Sequence, residues 1–288
     1  MEKRVADVSI VVANFNNGKY IPKFFSSIVG STFHPRELII VDDGSSDDSV
    51  SQLRSIAAQN GFVKLIEFPQ NKGFANALNE GVAAATSMYI MRLDPDDYVA
   101  ASRVEKQFKF LESNPEIDMV GSNITYFDSD SGSVIFNSNV PADSDNVVKA
   151  FQEGNCGIIH GSMMCRSKVM KQFRYDQKNV PAEDYELFSR MLRAGNKGCN
   201  MHDALTFVRI HVSSVSNNLP FETIQKTFRL KDDIWNSKTG YLTVKRMHLY
   251  LLNYRRFLFS KGLNRYWHLA LAVLFNPMKG IARITGSH

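Results

Sequence analysis

The segment Tyr89 to Ala100 (YIMRLDPDDYVA) concentrates side chains that could do chemistry. Asp94, Asp96 and Asp97 stand within four positions, directly after an apolar run with the character of a buried strand. Like charges this close repel, so the group requires a compensating cation or a strong structural reason. Ligands that are all oxygen favour a hard divalent ion, Mg2+ or Mn2+. A calcium loop of the EF-hand kind does not fit. Asp94, Asp96 and Glu105 occupy its first, third and twelfth positions, but Tyr98 holds the fifth and Val99 the one that requires glycine. A phosphotransferase with an aspartyl nucleophile carries its DxD after the first strand, whereas this one follows the fourth. An ion held by one or two carboxylates keeps positions that substrate phosphates fill, so the segment suits a departing diphosphate.

The elements that must position these acids follow from periodicity. Val8–Ala13, Glu37–Asp42, Val63–Glu67 and Met88–Leu93 have strand character, and between them Tyr20–Val29, Asp47–Asn60 and Phe74–Ala85 have helical spacing of apolar positions. This βαβαβαβ order predicts right-handed crossovers and a mainly parallel α/β sheet with helices on its faces. Ligands in such sheets bind at the carboxyl ends of the strands. The first strand ends in ANFNNGKY, the second in VDDGSSDDS and the fourth in RLDPDD, so Asp42 and Asp43 are expected to approach Asp94 and Asp96. Asp47 and Asp48 fit helix capping better than ligation.

Further along, a helix runs to about Asn114, a strand over Met119–Phe127 enters a turn at Asp128–Ser133 (DSDSGS), and a helix lies near Asp145–Glu153. GIIHGSMMCRS suggests a buried strand entering a helix at Ser167, AEDYELFSRMLRAG a helix closed by Gly195, and ALTFVRIHVSSVS a last strand.

Charge is unevenly placed. The chain has 34 Lys or Arg and 29 Asp or Glu, a net of +5. Nine of the bases and none of the acids lie between Lys238 and His288, leaving residues 1–237 with 25 bases against 29 acids, a net of −4. The C-terminal helical patterns, Tyr241–Ser260 and Leu263–Phe275, interleave aromatics with bases, the make-up of an interfacial segment on an anionic membrane. A helical pair packed on a catalytic domain is the competing reading, and nucleic acid is not expected, because no nucleic-acid-binding fold accompanies the bases. Three cysteines without a CxxC pair fit a reducing compartment and buried small residues. No apolar stretch reaches the roughly 18–20 residues of a membrane span, and no secretory leader is recognised. The expectation is a cytoplasmic protein, peripheral on the inner face of the cell membrane, with a domain at 1–215 and a basic aromatic helical extension at 216–288.

Five ordered blocks, VSIVVANFNNGKYI, ELIIVDDGSSDDS, NKGFANALNEG, YIMRLDPDDY and AEDYELFSRMLRAG, together resemble the family 2 glycosyltransferases, inverting nucleotide-sugar enzymes with the GT-A fold. The resemblance covers about residues 8–195. It implies that Asp42 and Asp43 contact uracil and ribose, that the backbone at Val12, Ala13 and Asn14 frames the nucleotide, and that Asp94 and Asp96 form the DxD pair. Asp96 would be the direct metal ligand and Asp94 a ribose or metal-water contact. Lys72 and Arg92 would either pair with the diphosphate or neutralise the acids. Asp184 falls at the catalytic base, with Glu183 beside it orienting the acceptor, and His211 at a position that touches the metal or pyrophosphate. His160 lies near an acceptor-side block. The chain departs from the pattern at Ala13, where proline is common, and at Leu78, where arginine is frequent, which leaves one phosphate or sugar contact in doubt. The implied reaction moves a sugar from a nucleotide sugar, a UDP-sugar above all, to a hydroxyl of a glycan or lipid-linked acceptor. Two alternatives stand beside it. A sugar nucleotidyltransferase would carry a Gly-rich basic loop after the first strand, and a non-catalytic binding module would not need Asp184.

Overall fold

The computed structural model describes residues 4–210, 220–260 and 262–277. The chain divides into two compact units, residues 1–209 and 210–288.

The first unit is built on β1 (Arg4–Asn14), β2 (Phe33–Asp42), β3 (Val63–Glu67) and β4 (Tyr89–Arg92), joined by α1 (Ile21–Val29), α2 (Ser49–Gln59) and α3 (Phe74–Ala84). These four strands are parallel, in the order β3-β2-β1-β4. β1 is central and reads as a nearly unbroken apolar run because both its faces are covered. The helices show why they form: α1 carries Pro22 in its first turn and buries Ile21, Phe24 and Ile28 along one stripe. Gly81 of α3 lies against Val11, where an added Cβ would stand 2.6 Å from a methyl carbon, so the helix seats directly on β1.

The chain then reverses sense. After the two-residue β5 (Tyr98–Val99) and α4 (Arg103–Ser113) come β6 (Met119–Asp128), β7 (Val134–Asn137), α5 (Ser144–Gln152) and β8 (Met164–Arg166). α6 (Ser167–Gln172), α7 (Glu183–Arg193) and β9 (Gly198–Ile210) follow. β8 pairs antiparallel with both β4 and β6, β7 with β6, and β5 with β9, completing a nine-stranded mixed sheet. The turn between β6 and β7 is held as its sequence predicts: the Asp128 side chain accepts from the amides of Asp130 and Ser131. The strand expected over GIIHGSMMCRS is shorter, because residues His160–Ser162 form a 3-10 turn in which the Ser162 hydroxyl donates to the Ile159 carbonyl at 2.9 Å.

The second unit contains α8 (Phe221–Trp235), α9 (Tyr241–Phe259) and α10 (Leu263–Phe275). Ile224, Phe228 and Val244 form its small core. Among the described residues no helix is long and apolar enough to cross a membrane. All three cysteines are free; Cys165 and Cys199 are buried, and Cys156, expected to be buried, is exposed.

Candidate active site

The carboxyl end of β4 delivers Arg92 and Asp94 side by side. Arg92 is buried, and its Nη1 makes an ion pair with Oδ2 of Asp94, which is one-third exposed. The cation that balances this carboxylate is thus a side chain of the same strand end. Asp97, which the sequence reading grouped with Asp94 and Asp96 without giving it a role, is buried three residues on, and Asp96 is half-buried. Burial, then the charges of Asp96 and Asp94, hold the Asp97 carboxyl well above its ordinary range. Its Oδ1 accepts from the Arg209 amide at 2.8 Å, and the Arg209 Nε donates to the Asp96 carbonyl at 2.9 Å. Arg209 is itself sandwiched by the Tyr20 and Phe127 rings, so the end of β9 braces the acidic turn. Beneath, the buried Arg103 donates to the Arg92 carbonyl at 3.0 Å. Burial and repulsion by Arg92 lower Arg103 to about 9.

Gly161 faces this group. A Cβ there would meet Asp94 Oδ2 at 3.4 Å, Arg92 Nη1 at 3.7 Å and Asp97 Oδ2 at 3.9 Å. The missing side chain leaves a small cradle bordered by carboxylate oxygen.

The second half of the site comes from α7. Glu183, Asp184 and Glu186 occupy its first turn and Arg190 and Arg193 its last, the distribution that a helix dipole favours. The Asp184 Oδ1 accepts from the Tyr185 amide at 2.6 Å, and burial nonetheless raises its carboxyl. Glu183 is buried, its Oε2 has no hydrogen-bond partner among the described residues, and burial together with the Asp184 charge pushes it up to about 7. Both carboxyls feel the Arg92 and Asp94 charges, which places the start of α7 electrostatically against the end of β4. Dipole placement alone would not bury Glu183 with an unpaired oxygen, since an exposed first-turn carboxylate serves that purpose at no desolvation cost.

His160 and Tyr175 complete the wall. The His160 Nε2 and the Tyr175 hydroxyl are 2.7 Å apart and buried. Burial, then the Arg92 charge, hold His160 well below its ordinary value, so the ring is neutral. Tyr175 is fixed by Asn79 of α3, whose side chain donates to the Tyr175 carbonyl and accepts from its amide, both at 2.9 Å. Two residues on, Gln177 Oε1 accepts from the amides of Ala75 (3.0 Å) and Asn76 (3.3 Å) and so caps α3. The strap from Tyr175 to Ala182 is therefore stapled to α3 just before it delivers Glu183 and Asp184.

The carboxyl ends of β1 and β2 form a separate group. Asp42 accepts from Asn14 Nδ2 (2.7 Å), the Ser45 hydroxyl (2.7 Å) and the Ser45 amide (2.8 Å). Asp43 accepts from the Lys72 amide (2.7 Å) and the Gly73 amide (3.0 Å). Asn14 Oδ1 is buried without a hydrogen-bond partner among the described residues. Val12 and Ala13 pair in the sheet with Ile40 and Val41. Lys72 is exposed, its ammonium 4.2 Å from the centre of the Phe68 ring, and Leu78 is buried in the core. Asp47 spans two loops, accepting from the Gly18 amide at 2.9 Å and the Ser49 amide at 3.0 Å.

Among the described residues no three His, Cys, Asp or Glu side chains converge as a metal cluster, and Asp42 and Asp43 accept from neutral donors of β1, the loop after β2 and the loop before α3. His211 lies outside the described residues. Asp94 borders the Gly161 cradle together with Arg92 and Asp97, and Asp96 lies half-buried in the same turn.

The family described as "Glycosyl transferase family 2" matches residues 9–173, more than half of the chain. The chain belongs to glycosyl transferase family 2 and is an enzyme, a glycosyltransferase. An uncharacterized glycosyltransferase of Haemophilus influenzae is 30% identical over 245 residues, covering 81% of this chain and 75% of that one. The amylovoran biosynthesis glycosyltransferase AmsE of Erwinia amylovora is 26% identical, with 77% and 83% covered. Among solved structures, S. aureus TarS 1-349 in complex with UDP-GlcNAc aligns at a TM-score of 0.63 with 16% identity, covering 96% of this chain and 83% of that one. The mannosyltransferase PcManGT from Pyrobaculum calidifontis, in complex with GDP-Man and Mn2+, aligns at 0.60 with 14% identity, covering 98% and 79%. These likenesses establish the GT-A fold, a curled, mostly parallel sheet flanked by helices, with C-terminal helices present.

Proposed function

We propose that this glycosyltransferase is an inverting enzyme that moves a sugar from a nucleotide sugar, a UDP-sugar, to a hydroxyl of a glycan or lipid-linked acceptor, with Asp184 as general base. The observation that carries the proposal is that buried Glu183 and half-buried Asp184, at the start of α7, both feel the charges of Arg92 and Asp94 at the end of β4.

A carboxylate on one side and positive charge on the other suit direct displacement. The acceptor oxygen forms its bond to the anomeric carbon as its proton passes to Asp184, while the bond to the diphosphate breaks on the opposite face. The raised carboxyl of Asp184 makes it a better proton acceptor than an exposed aspartate, and Glu183 next to it orients the acceptor. Arg92 lies where negative charge develops. Val12, Ala13, Asn14, Asp42, Asp43 and Lys72 line the nucleotide side. The orphaned Asn14 oxygen is an acceptor ready for a ligand donor. Asp96 and Asp94 would hold Mn2+ or Mg2+, which when bound supplies positive charge to the departing diphosphate. Complexes of the fold relatives with UDP-GlcNAc, and with GDP-Man and Mn2+, support this donor class and metal. The name of AmsE supports a polysaccharide as product. On this reading residues 1–215 bind the donor and catalyse, and residues 216–288 hold the enzyme on the cytoplasmic face of a membrane that carries the acceptor.

The test is a panel of nucleotide sugars with Mn2+, read first by thermal shift and then by released product. UDP as product supports sugar transfer, whereas pyrophosphate would replace the proposal with nucleotidyl transfer.

A further inference from the structure

Helix α10 is apolar on two opposite faces. His268, Leu269 and Ala272 turn toward α9, with Ala272 fully buried and the His268 Nδ1 3.2 Å from the Asn253 Oδ1. On the other side Leu263 is 88% exposed, Tyr266 66%, Trp267 64% and Leu274 66%. At 3.6 residues per turn these four fall within about 100° of arc, with exposed Ala270 among them. An exposed apolar stripe of this extent is unfavourable in water, so it requires an occupant.

The charge selects the occupant. From Lys238 onward the chain carries nine Lys or Arg and no acid. A second copy meeting this face about a two-fold axis would set bases against bases. A polyanion such as nucleic acid would satisfy the bases but leave Leu263, Trp267 and Leu274 in water. An anionic phospholipid surface satisfies both, taking the apolar stripe at the acyl boundary and the bases at the headgroups. At 13 residues α10 is about 20 Å long, too short to cross the hydrocarbon and suited to lying along it.

We propose that α10 is an interfacial helix that lies in the plane of an anionic phospholipid surface through Leu263, Tyr266, Trp267, Ala270 and Leu274. The proposal rests on the membrane reading above and assigns it to one face of one helix.

The chain has two tryptophans, so Trp235→Phe leaves Trp267 as sole reporter. Full-length protein is mixed with vesicles of phosphatidylcholine alone or of phosphatidylcholine with phosphatidylglycerol. Trp267 emission shifts to the blue, and the protein floats, with the anionic vesicles only. Leu263→Ser combined with Trp267→Ser, both exposed and so tolerated by the fold, lowers vesicle partition by at least about tenfold. Stabilisation by UDP with Mn2+ is measured in every variant and is unchanged. Its absence from the parent protein would count against the donor site while leaving the vesicle result intact. Equal flotation of parent and double variant overturns the proposal, as does failure to float with anionic vesicles. A vesicle-independent blue shift that grows with protein concentration does so too, because it assigns the face to self-association.

Discussion

Arg92 supplies positive charge inside the protein to a strand end that would otherwise hold Asp94 and Asp97 uncompensated. The same charge reaches Asp184, so one buried guanidinium acts on both the end of β4 and the start of α7. Asp184→Asn is expected to lower turnover by roughly 100-fold to 10,000-fold while donor affinity holds, as measured by steady-state rates beside calorimetric UDP binding. Glu183 gives a prediction in pH. Its carboxyl rises from an ordinary 4.5 to about 7 on folding, so between these values the native state holds a proton that the unfolded chain has released. Stability from this residue therefore declines as pH rises from about 4.5 to about 7. Glu183→Gln should flatten that slope in denaturant titrations, and an unchanged slope would remove Glu183 from the account. Asp94, Asp96 and Asp97 stood out in the sequence because spacing after a strand is local information, and Asp184 was singled out only through the family resemblance. The burial of Asp97 was not legible, because it depends on β9, more than a hundred residues away, and neither was the His160–Tyr175 pair.

Helix α3 shows how elements position the site. Asp43 takes the amides of Lys72 and Gly73, and Gln177 takes those of Ala75 and Asn76, so the amino end of α3 is occupied by the protein itself. Asn79 then fixes Tyr175 by two hydrogen bonds. Asn79→Ala should cost roughly 1–3 kcal/mol of stability and reduce kcat more than it changes KM, because it frees the strap that delivers Asp184. Gly44 adopts φ +76°, and a Cβ there would stand 2.6 Å from the Gln70 carbonyl carbon and 2.7 Å from the Asn71 amide nitrogen. Gly44→Ala should therefore destabilise by roughly 1–3 kcal/mol in chemical unfolding and loosen the Asp43 clamp. The parallel strands and their helices were readable because apolar period reports which face is covered. The strap was not: each of its bonds joins a side chain to a backbone group about a hundred positions away, and no local pattern encodes Gln177 as a cap for α3.

At the scale of the molecule the two units differ in chemistry. The first holds every acid of the candidate site, and the second has the base-rich, acid-free sequence that follows Lys238. The sequence revealed that asymmetry at once, because charge counts need no fold. It could not show which face of α10 stays exposed, since that depends on how the helix packs against α9. On the proposed reading, donor recognition by the first unit would rest on a divalent ion joining Asp94 and Asp96 to a diphosphate. The most direct measurement is calorimetric binding of UDP with and without Mn2+, to the native protein and to Asp96→Asn. Mn2+ should tighten UDP binding to the native protein by at least about tenfold and leave the variant unaffected. Equal tightening in both proteins would contradict the account.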